Sequence, residues 1–199
     1  MFVQVITGKT NDPAKLRSRG DKWRDEVRPG AAGFLGSTGG VADDGTFILF
    51  ARFADEAAAR ANSNRAEQGA WWEETVGCFD GEPTFRESSD VRMLFDGGSD
   101  DAGFVQLMEG AVADRAKADA FETPEMIDQL RAARPDLIGG IRVWFEGGAF
   151  AELAYFTGEE DARKGEASAD FEGPQQAYMD LYHDMTFTDI REPMFTPPA

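Results

Sequence analysis

The sequence predicts an α+β protein built from two copies of one β-α-β-β-α-β module. The main observation is an internal repeat, in which Phe2–Val5 (FVQV) returns as Phe104–Leu107 (FVQL) and Phe47–Phe53 returns as Phe150–Phe156. Further matches keep the same order along the chain, which argues against chance similarity of two β-rich segments. A repeat of about a hundred residues is too long for a solenoid unit, so each copy should form a small fold of its own.

Composition restricts the class of protein before any motif is considered. A hydrophobic content of 42% with 12% aromatic residues is typical of a globular protein. The formal net charge of −17 repels phosphate backbones and anionic lipid, so we expect neither nucleic acid nor a membrane surface as a partner. The single cysteine, Cys78, and the single histidine, His183, exclude intrachain disulfides and multi-histidine metal sites. We expect no metal and no cofactor, in a cytoplasmic protein without a leader or an apolar span.

The first copy contains signals for the start and end of each element. Asp12-Pro13 starts a helix, because aspartate can cap free N–H groups and proline fits the first turn, and Pro29-Gly30 ends it. Asp43–Gly45 is a hairpin turn signal. The predicted strands are Phe2–Thr7, Phe34–Ala42, Thr46–Phe53 and Glu82–Phe95, and the later helices run from Asp55 through Ala61 and from Glu67 to Phe79.

The second copy repeats that order, with its first helix divided at Thr123-Pro124. This order is the ferredoxin-like, split βαβ pattern. We assign 1–95 and 103–195 to the two modules, 96–102 to a flexible linker and 196–199 to a tail. The predicted strands are Gly103–Ala111, Leu137–Phe145, Ala149–Thr157 and Thr186–Met194, and helices begin near Glu159 and run from Pro174 to about His183.

The third strand of each copy is apolar on both faces. In Thr46–Phe53, Phe47 and Leu49 point to one side, while Ile48 and Phe50 point to the other. Helices can cover only one face of such a sheet, and an exposed second face would be a large apolar patch. We therefore expect the two sheets to pack face to face within one chain.

These features resemble the dimeric α/β-barrel proteins, specifically the antibiotic-biosynthesis-monooxygenase-like group. The resemblance rests on the element order, the Phe-Val-Gln strand, the aromatic third strand and the helix that carries Trp71-Trp72, and it covers nearly the whole chain. It implies an α/β barrel made within one chain from two fused repeats, as a monomer or a homodimer, where the family usually uses two chains. Relatives include cofactor-free monooxygenases of polyphenols or quinols, haem-degrading proteins and proteins without known activity.

The Trp71-Trp72 pair is the most distinctive candidate for contact with a small molecule. Adjacent residues of a helix point about 100° apart, so we expect one tryptophan to pack and the other to line a pocket or an interface. Gln4 and Gln106 lie in otherwise apolar first strands, where a buried amide needs hydrogen-bond partners. Either a shared structural hydrogen bond or a polar spot in each cavity accounts for them.

The third strands differ between the copies at positions that chemistry could use. Arg52 in the first copy matches Tyr155 in the second, and Leu49 matches Glu152. Arg52 and Tyr155 are therefore further candidates for substrate contact, although Arg52 could instead pair with a carboxylate at the barrel rim. If each copy has a cavity, the two cavities differ chemically.

His183 is predicted at the end of the last helix and is the one histidine available for acid–base chemistry. In haem-degrading relatives a histidine near this place binds iron, with a tryptophan on the preceding helical stretch and an asparagine on the first strand. Here His183 and Trp71-Trp72 lie in different copies, and neither first strand has an asparagine. Haem binding and degradation are thus disfavoured, and a surface position at a helix end is the alternative account of His183.

Two functions of different classes remain. One is a cofactor-independent monooxygenase acting on an aromatic or quinol-like small molecule, in which the substrate anion itself reduces oxygen inside an apolar cavity. The other is a non-catalytic small-molecule-binding or stress-associated module, which requires no titratable group inside its cavity. The residues that line the space between each sheet and its helices distinguish the two.

Overall fold

The computed structural model describes residues 1–167, 176 and 180–199 and divides the chain into two compact units. Unit 1 comprises Met1–Val91 together with Glu192–Ala199, and unit 2 comprises Arg92–Arg191. Each unit contains one five-stranded antiparallel sheet with helices, so the predicted α+β class of tandem ferredoxin-like modules is confirmed. In the described part of the chain, no helix is long and apolar enough to cross a membrane.

Unit 1 follows the predicted element order closely. Its first helix starts where the sequence indicated, because the Asp12 side chain accepts a hydrogen bond from the backbone N–H of Lys15 at 3.0 Å. That helix continues as a π-helical turn and then a 3-10 turn that ends at Gly30. The elements are β1 (Phe2–Lys9), α1 (Pro13–Lys22), the π turn (Trp23–Val27), β2 (Phe34–Val41), β3 (Thr46–Phe53), α2 (Glu56–Ser63), α3 (Ala66–Val76) and β4 (Thr84–Ser88).

The turn between β2 and β3 requires glycine. Gly45 has a φ of +81°, and a Cβ at this position would lie 2.5 Å from the backbone oxygen of Thr10. Since only glycine adopts this conformation without a steric penalty, the hairpin signal in the sequence identified the turn correctly.

Unit 2 has the same order of strands and helices. The predicted division of its first helix is confirmed, since the Thr123 hydroxyl accepts a hydrogen bond from the Met126 backbone N–H at 3.2 Å and starts a new helix. Its elements are β5 (Val91–Leu94), β6 (Phe104–Val112), α4 (Arg115–Phe121), α5 (Pro124–Ala133), β7 (Leu137–Trp144), β8 (Ala149–Phe156), α6 (Glu159–Glu166) and β9 (Tyr182–Ile190). The last strand of the chain, β10 (Met194–Thr196), belongs to unit 1.

In each sheet one edge strand comes from the end of the other repeat. The strand at the end of the second repeat, β10, joins the sheet of unit 1, and the strand at the end of the first repeat, β5, joins the sheet of unit 2. The strand orders are β10-β2-β3-β1-β4 in unit 1 and β5-β7-β8-β6-β9 in unit 2. The single predicted strand Glu82–Phe95 is therefore wrong: the chain bends at Ser89-Asp90, and the two halves enter different sheets. The closing strand Thr186–Met194 is likewise two strands, β9 and β10. These pairings shift the unit bounds away from the predicted 1–95 and 103–195.

The predicted helix from Pro174 to His183 falls mostly outside the described residues. At its C-terminal end the prediction is wrong, because Tyr182 and His183 lie in β9 and pair with Val112 and Ala111 of β6. A β-bulge in this pairing accompanies a positive φ of 55° at Asp184.

The third strands are buried on both faces, as the sequence predicted. In β3, Phe47 is 7% exposed on one face, while Ile48 and Phe50 are fully buried on the other. In β8, Leu153 and Tyr155 are also fully buried. Each such side chain contributes roughly 1.5–3 kcal/mol to stability by leaving water.

Candidate functional site

A cavity of about 500 Å³ lies in unit 1 between the helices and one face of the sheet. We call it the tryptophan cavity, because three of the four tryptophans of the chain line it. The size is within the usual range for small-molecule pockets, about 300–1,000 Å³. Its aromatic lining consists of Trp23, Phe34, Phe47, Phe53, Trp71, Trp72, Phe79, Phe85 and Phe195.

Both members of the Trp71-Trp72 pair line this cavity, where the helical geometry predicted only one. Their ring centroids are 6.0 Å apart, and the ring of Trp72 also packs against that of Phe85, with 5.3 Å between the centroids. Although adjacent side chains of α3 point about 100° apart, both rings reach the wall of this one cavity. Trp71 is fixed further because its indole Nε1 donates a hydrogen bond to the backbone oxygen of Arg19 at 2.8 Å.

The π turn places the third tryptophan in the same wall. Trp23 is its first residue, and the wider turn interrupts the α-helical spacing of α1 at this point. The Trp23 Nε1 donates to Gln68 Oε1 at 2.7 Å, and its ring packs edge-on against Phe34 at 4.8 Å. The sequence does not single out Trp23, because its position on the cavity depends on the π turn, which the sequence pattern does not indicate.

Gln4 lines the tryptophan cavity and has a fixed orientation. Its Nε2 donates to Glu87 Oε1 on β4 at 2.6 Å, and Arg60 of α2 binds both oxygens of the same carboxylate. The hydrogen bond from Arg60 lowers the pKa of Glu87 below its usual value and outweighs the opposite effect of burial. Because Nε2 is committed to Glu87, the amide presents Oε1 as the acceptor that it can offer to a ligand.

The charged residues of the tryptophan cavity lie at its rim. Arg17 pairs with Glu192 at 3.1 Å, and Arg24 pairs with Asp21 at 2.8 Å. The side chains of these residues are at least a third exposed. The deeper polar groups are neutral and include Ser37, which is 6% exposed.

Unit 2 contains a second cavity, of about 540 Å³, in the corresponding place. We call it the charged cavity, because arginine and acidic side chains form part of its wall. Its lining includes the apolar residues Leu94, Met108, Phe121, Met126, Ile127, Leu130 and Phe156, and the charged residues Arg92, Glu122, Arg134, Arg142, Glu152, Arg163, Glu166 and Asp189.

The glutamine arrangement of unit 1 recurs in the charged cavity. Gln106 Nε2 donates to Asp189 Oδ1 on β9 at 3.0 Å, and Arg163 of α6 binds the other oxygen of Asp189. Burial opposes ionisation of Asp189, but the hydrogen bonds from Gln106 and Arg163 outweigh it and hold its pKa below the usual value. Both alternatives left open by the sequence thus describe the glutamines: each makes a structural hydrogen bond and each lines a cavity.

A buried network of charges distinguishes the charged cavity. Arg142 Nε donates to Glu152 Oε2 at 2.5 Å, and Arg142 Nη1 donates to Glu122 Oε1 at 2.5 Å. These three side chains are only 5–8% exposed. The Tyr182 hydroxyl accepts from Arg142 at 3.0 Å, and Arg92 binds Glu122 at 2.9 Å. The sequence signal was a charged residue inside each apolar strand, Arg142 in β7 and Glu152 in β8.

The strand registers show where the two cavities diverged. In unit 1, Gly39 of β2 pairs with Leu49 of β3, whereas the corresponding pair in unit 2 is Arg142 with Glu152. An ion pair therefore occupies the position at which unit 1 has a glycine and an apolar side chain. The replacement of Leu49 by Glu152 at matched positions of the repeat thus makes the wall of the second cavity charged where that of the first is apolar.

Arg52 and Tyr155 lie away from both cavities. The tryptophan cavity is lined by the odd-numbered residues of β3, and Arg52 projects from the opposite face, where its Nε donates to the Gly36 backbone oxygen at 3.4 Å. Tyr155 occupies the equivalent face of β8 and is fully buried. The alternation of a strand explains both placements.

His183 lies on a strand at the surface, and not at a helix end. Its side chain is 52% exposed, and Nδ1 is 2.9 Å from Asp184 Oδ2. It lines neither cavity. Among the described residues, no group of three or more histidine, cysteine or acidic side chains could hold a metal ion.

Comparison with known proteins supports the fold. No protein-family model matches the sequence, and no curated protein matches it at a significant level. Among solved structures, a "putative monooxygenase" from Fusobacterium nucleatum subsp. nucleatum is similar with a TM-score of 0.76 at 10% identity, over 100% of this chain and 95% of that one. A second "putative monooxygenase", from Lactobacillus acidophilus NCFM, has a TM-score of 0.73 at 13% identity, over 98% and 96% of the chains.

The chain shares the overall α+β fold of these structures, with two ferredoxin-like modules in one chain. A structure described as an anthrone oxidase-like protein is also similar, with a TM-score of 0.62 at 10% identity, over 98% of this chain and 93% of that one. At these identities the likeness establishes architecture, and the chemistry must be argued from the cavities of this chain.

Proposed function

We propose that this protein is a cofactor-independent monooxygenase that acts on an electron-rich aromatic or quinol-like small molecule bound in the tryptophan cavity. The observation that carries the proposal is an aromatic cavity of about 500 Å³ in which one amide, that of Gln4, is held in a fixed orientation by Glu87. Aromatic walls favour a planar ligand through stacking and edge contacts. The Gln4 Oε1 can accept a hydrogen bond from the hydroxyl group of such a ligand.

The reaction balances without another reductant. A CH₂ carbon activated by flanking aromatic rings loses a proton, and the resulting anion reduces O₂. One oxygen atom becomes the new carbonyl, and the other leaves as water with the two hydrogens of the CH₂ group. The substrate supplies all four electrons, so the chain needs only to bind and orient the ring and to exclude water from it.

Anthrone is the natural first probe, because it carries such a CH₂ group and because the fold is shared with a protein described as anthrone oxidase-like. Naphthols and hydroquinones widen the panel. We expect oxygen uptake that requires the protein, with label from ¹⁸O₂ in the product. Absence of both oxygen-dependent turnover and a ligand-induced rise in melting temperature across the panel would contradict the proposal.

Variants of helix α3 locate the activity. Trp72→Ala removes a ring from the cavity wall, and the loss of about 1–1.5 kcal/mol of aromatic contact should lower kcat/KM about tenfold. Val76→Ala on the same helix is the matched control, because Val76 is 38% exposed and does not line the cavity. Equal activity of the two variants would place the reaction elsewhere.

A non-catalytic binding module is the second candidate, and the rim of the tryptophan cavity favours it. The charged lining residues Arg17, Asp21 and Arg24 are at least a third exposed and engaged in ion pairs, while the deeper polar side chains are neutral. This function predicts that aromatic ligands raise the melting temperature and are recovered unchanged after aerobic incubation.

A further inference from the structure

We propose that the charged cavity is a separate binding site for a lipophilic ammonium ion, with the Glu152 carboxylate as its anchor. This site belongs to unit 2 and shares no lining residue with the tryptophan cavity. The proposal therefore does not depend on the proposed oxygenation.

Glu152 offers one oxygen to a ligand. Its side chain is 5% exposed and lines the cavity, and Oε2 accepts the hydrogen bond from Arg142. In the part of the chain that the structure describes, Oε1 accepts no hydrogen bond, and it packs close to the backbone of Gly140, 3.3 Å from the position that a Cβ there would take. Among the described residues, Trp144 Nε1 is the only fully buried side-chain polar atom without a hydrogen-bond partner, so Glu152 Oε1 is open to the cavity, where a donor on a ligand can reach it.

The charges around this oxygen favour a cation. Glu122 and Glu152 are both more than nine-tenths buried, and both bind the single buried guanidinium of Arg142. Arg92, the second cation of the network, is 34% exposed at its side chain. Counted over the described residues, the deepest part of the network therefore has two carboxylates for one guanidinium. The chain as a whole has a net charge of −17, which attracts cations at long range.

The other cations of the lining are already bound by acids. Arg134 makes a forked pair with Asp136, with a shortest distance of 2.7 Å, and Arg163 binds Asp189. An anionic ligand would have to compete with these partners, whereas an ammonium group meets the Glu152 oxygen directly. This part of the wall therefore offers an acceptor to a ligand, and not a cation.

The rest of the cavity suits the apolar body of such a ligand. Met108 and Met126 provide flexible, polarisable side chains that adapt to different shapes. Phe121 and Phe156 add aromatic faces, which attract a cation as well as an apolar chain. A primary amine on a phenylalkyl chain satisfies both ends of the site.

The test compares three ligands that differ in one group: 4-phenylbutylammonium, 4-phenylbutanol and 4-phenylbutanoate, measured by calorimetric titration at pH 7. The ammonium ion should bind about tenfold or more tightly than the alcohol, because a hydrogen bond between two ionised groups is stronger than one with a neutral donor. The carboxylate should bind weakest. Equal binding of all three, or tightest binding of the carboxylate, would overturn the proposal.

Two variants locate the binding. Glu152→Gln keeps the shape of the side chain and should weaken binding of the ammonium ion about tenfold or more, while binding of the alcohol changes little. Trp72→Ala alters the tryptophan cavity alone and should leave ammonium binding unchanged. If Trp72→Ala abolishes the binding and Glu152→Gln preserves it, the ion is held by aromatic rings in unit 1 and the proposal is wrong. The ligand series on the unaltered protein decides the matter even if Glu152→Gln does not fold.

Discussion

Replacing Arg142 by methionine should destabilise unit 2 strongly, although the length and apolar stem of the side chain are nearly preserved. Arg142 binds Glu122 and Glu152 at 2.5 Å each, with all three side chains 5–8% exposed. In the variant, Glu122 keeps Arg92 as a partner at 2.9 Å. Glu152 keeps none among the described residues, so one carboxylate is left buried without a counter-charge.

The expected loss follows from that single orphaned charge. At an effective dielectric constant of about 20, a pair of charges about 4 Å apart gains about 4 kcal/mol, and desolvation cancels much of this gain in the intact pair. Removing one partner of a buried pair leaves the desolvation cost in place, which amounts to about 3–5 kcal/mol. We therefore expect Arg142→Met to lower the free energy of unfolding by about 3–5 kcal/mol.

Urea unfolding followed by far-UV circular dichroism measures this loss, and hydrogen exchange in β7 and β8 assigns it to unit 2. Lys164→Met is the matched control: it breaks a fully exposed pair with Glu160 on α6 and should leave the free energy of unfolding nearly unchanged. Adding Glu152→Leu to Arg142→Met should recover part of the stability, because it removes the orphaned carboxylate. A loss below about 1 kcal/mol in Arg142→Met, or a double variant no more stable than the single one, would refute the reasoning.

Two further predictions concern stability. Glu87 has a lowered pKa because Arg60 binds it, so it stabilises the fold above its usual pKa near 4.5, and this contribution is lost as the pH falls. The melting temperature of Glu87→Gln should therefore lie below that of the unaltered protein at pH 7, with the gap closing below about pH 4; a gap that is independent of pH contradicts this. Gly45→Ala should cost more than about 1 kcal/mol because of its positive φ and the close oxygen of Thr10, whereas Gly77→Ala, with open space around its Cβ and a φ of −69°, should be neutral or stabilising by denaturant titration.

Local chemistry in the sequence was sufficient for most elements. The helix division at Thr123-Pro124 and the turn at Gly45 depend on capping and on backbone sterics, which are properties of a few adjacent residues. The segment Glu82–Phe95 shows the limit of this reasoning. Alternating residues predict a strand but carry no information about which sheet it joins, because that depends on pairing with residues far along the chain.

The candidate site was predictable in part. The pair Trp71-Trp72 and both glutamines were identified, since aromatic and amide residues stand out against their surroundings. Arg52 was misplaced because the alternation of β3 gives two faces without stating which one the helices cover. The Arg142 network was missed because its members lie far apart along the chain: Glu122 directly follows α4, Arg142 and Glu152 lie in β7 and β8, and the pairing of those strands brings the last two together.

The exchange of edge strands has a consequence for the order of synthesis. Unit 2 is one continuous stretch, Arg92–Arg191, whereas the sheet of unit 1 is completed by β10, whose residues belong to the last segment, Glu192–Ala199. Domains made first on the ribosome usually fold first. Here the second unit can finish its sheet while the first still lacks an edge, so the N-terminal unit waits with β2 unpaired on one side until β10 has been synthesised.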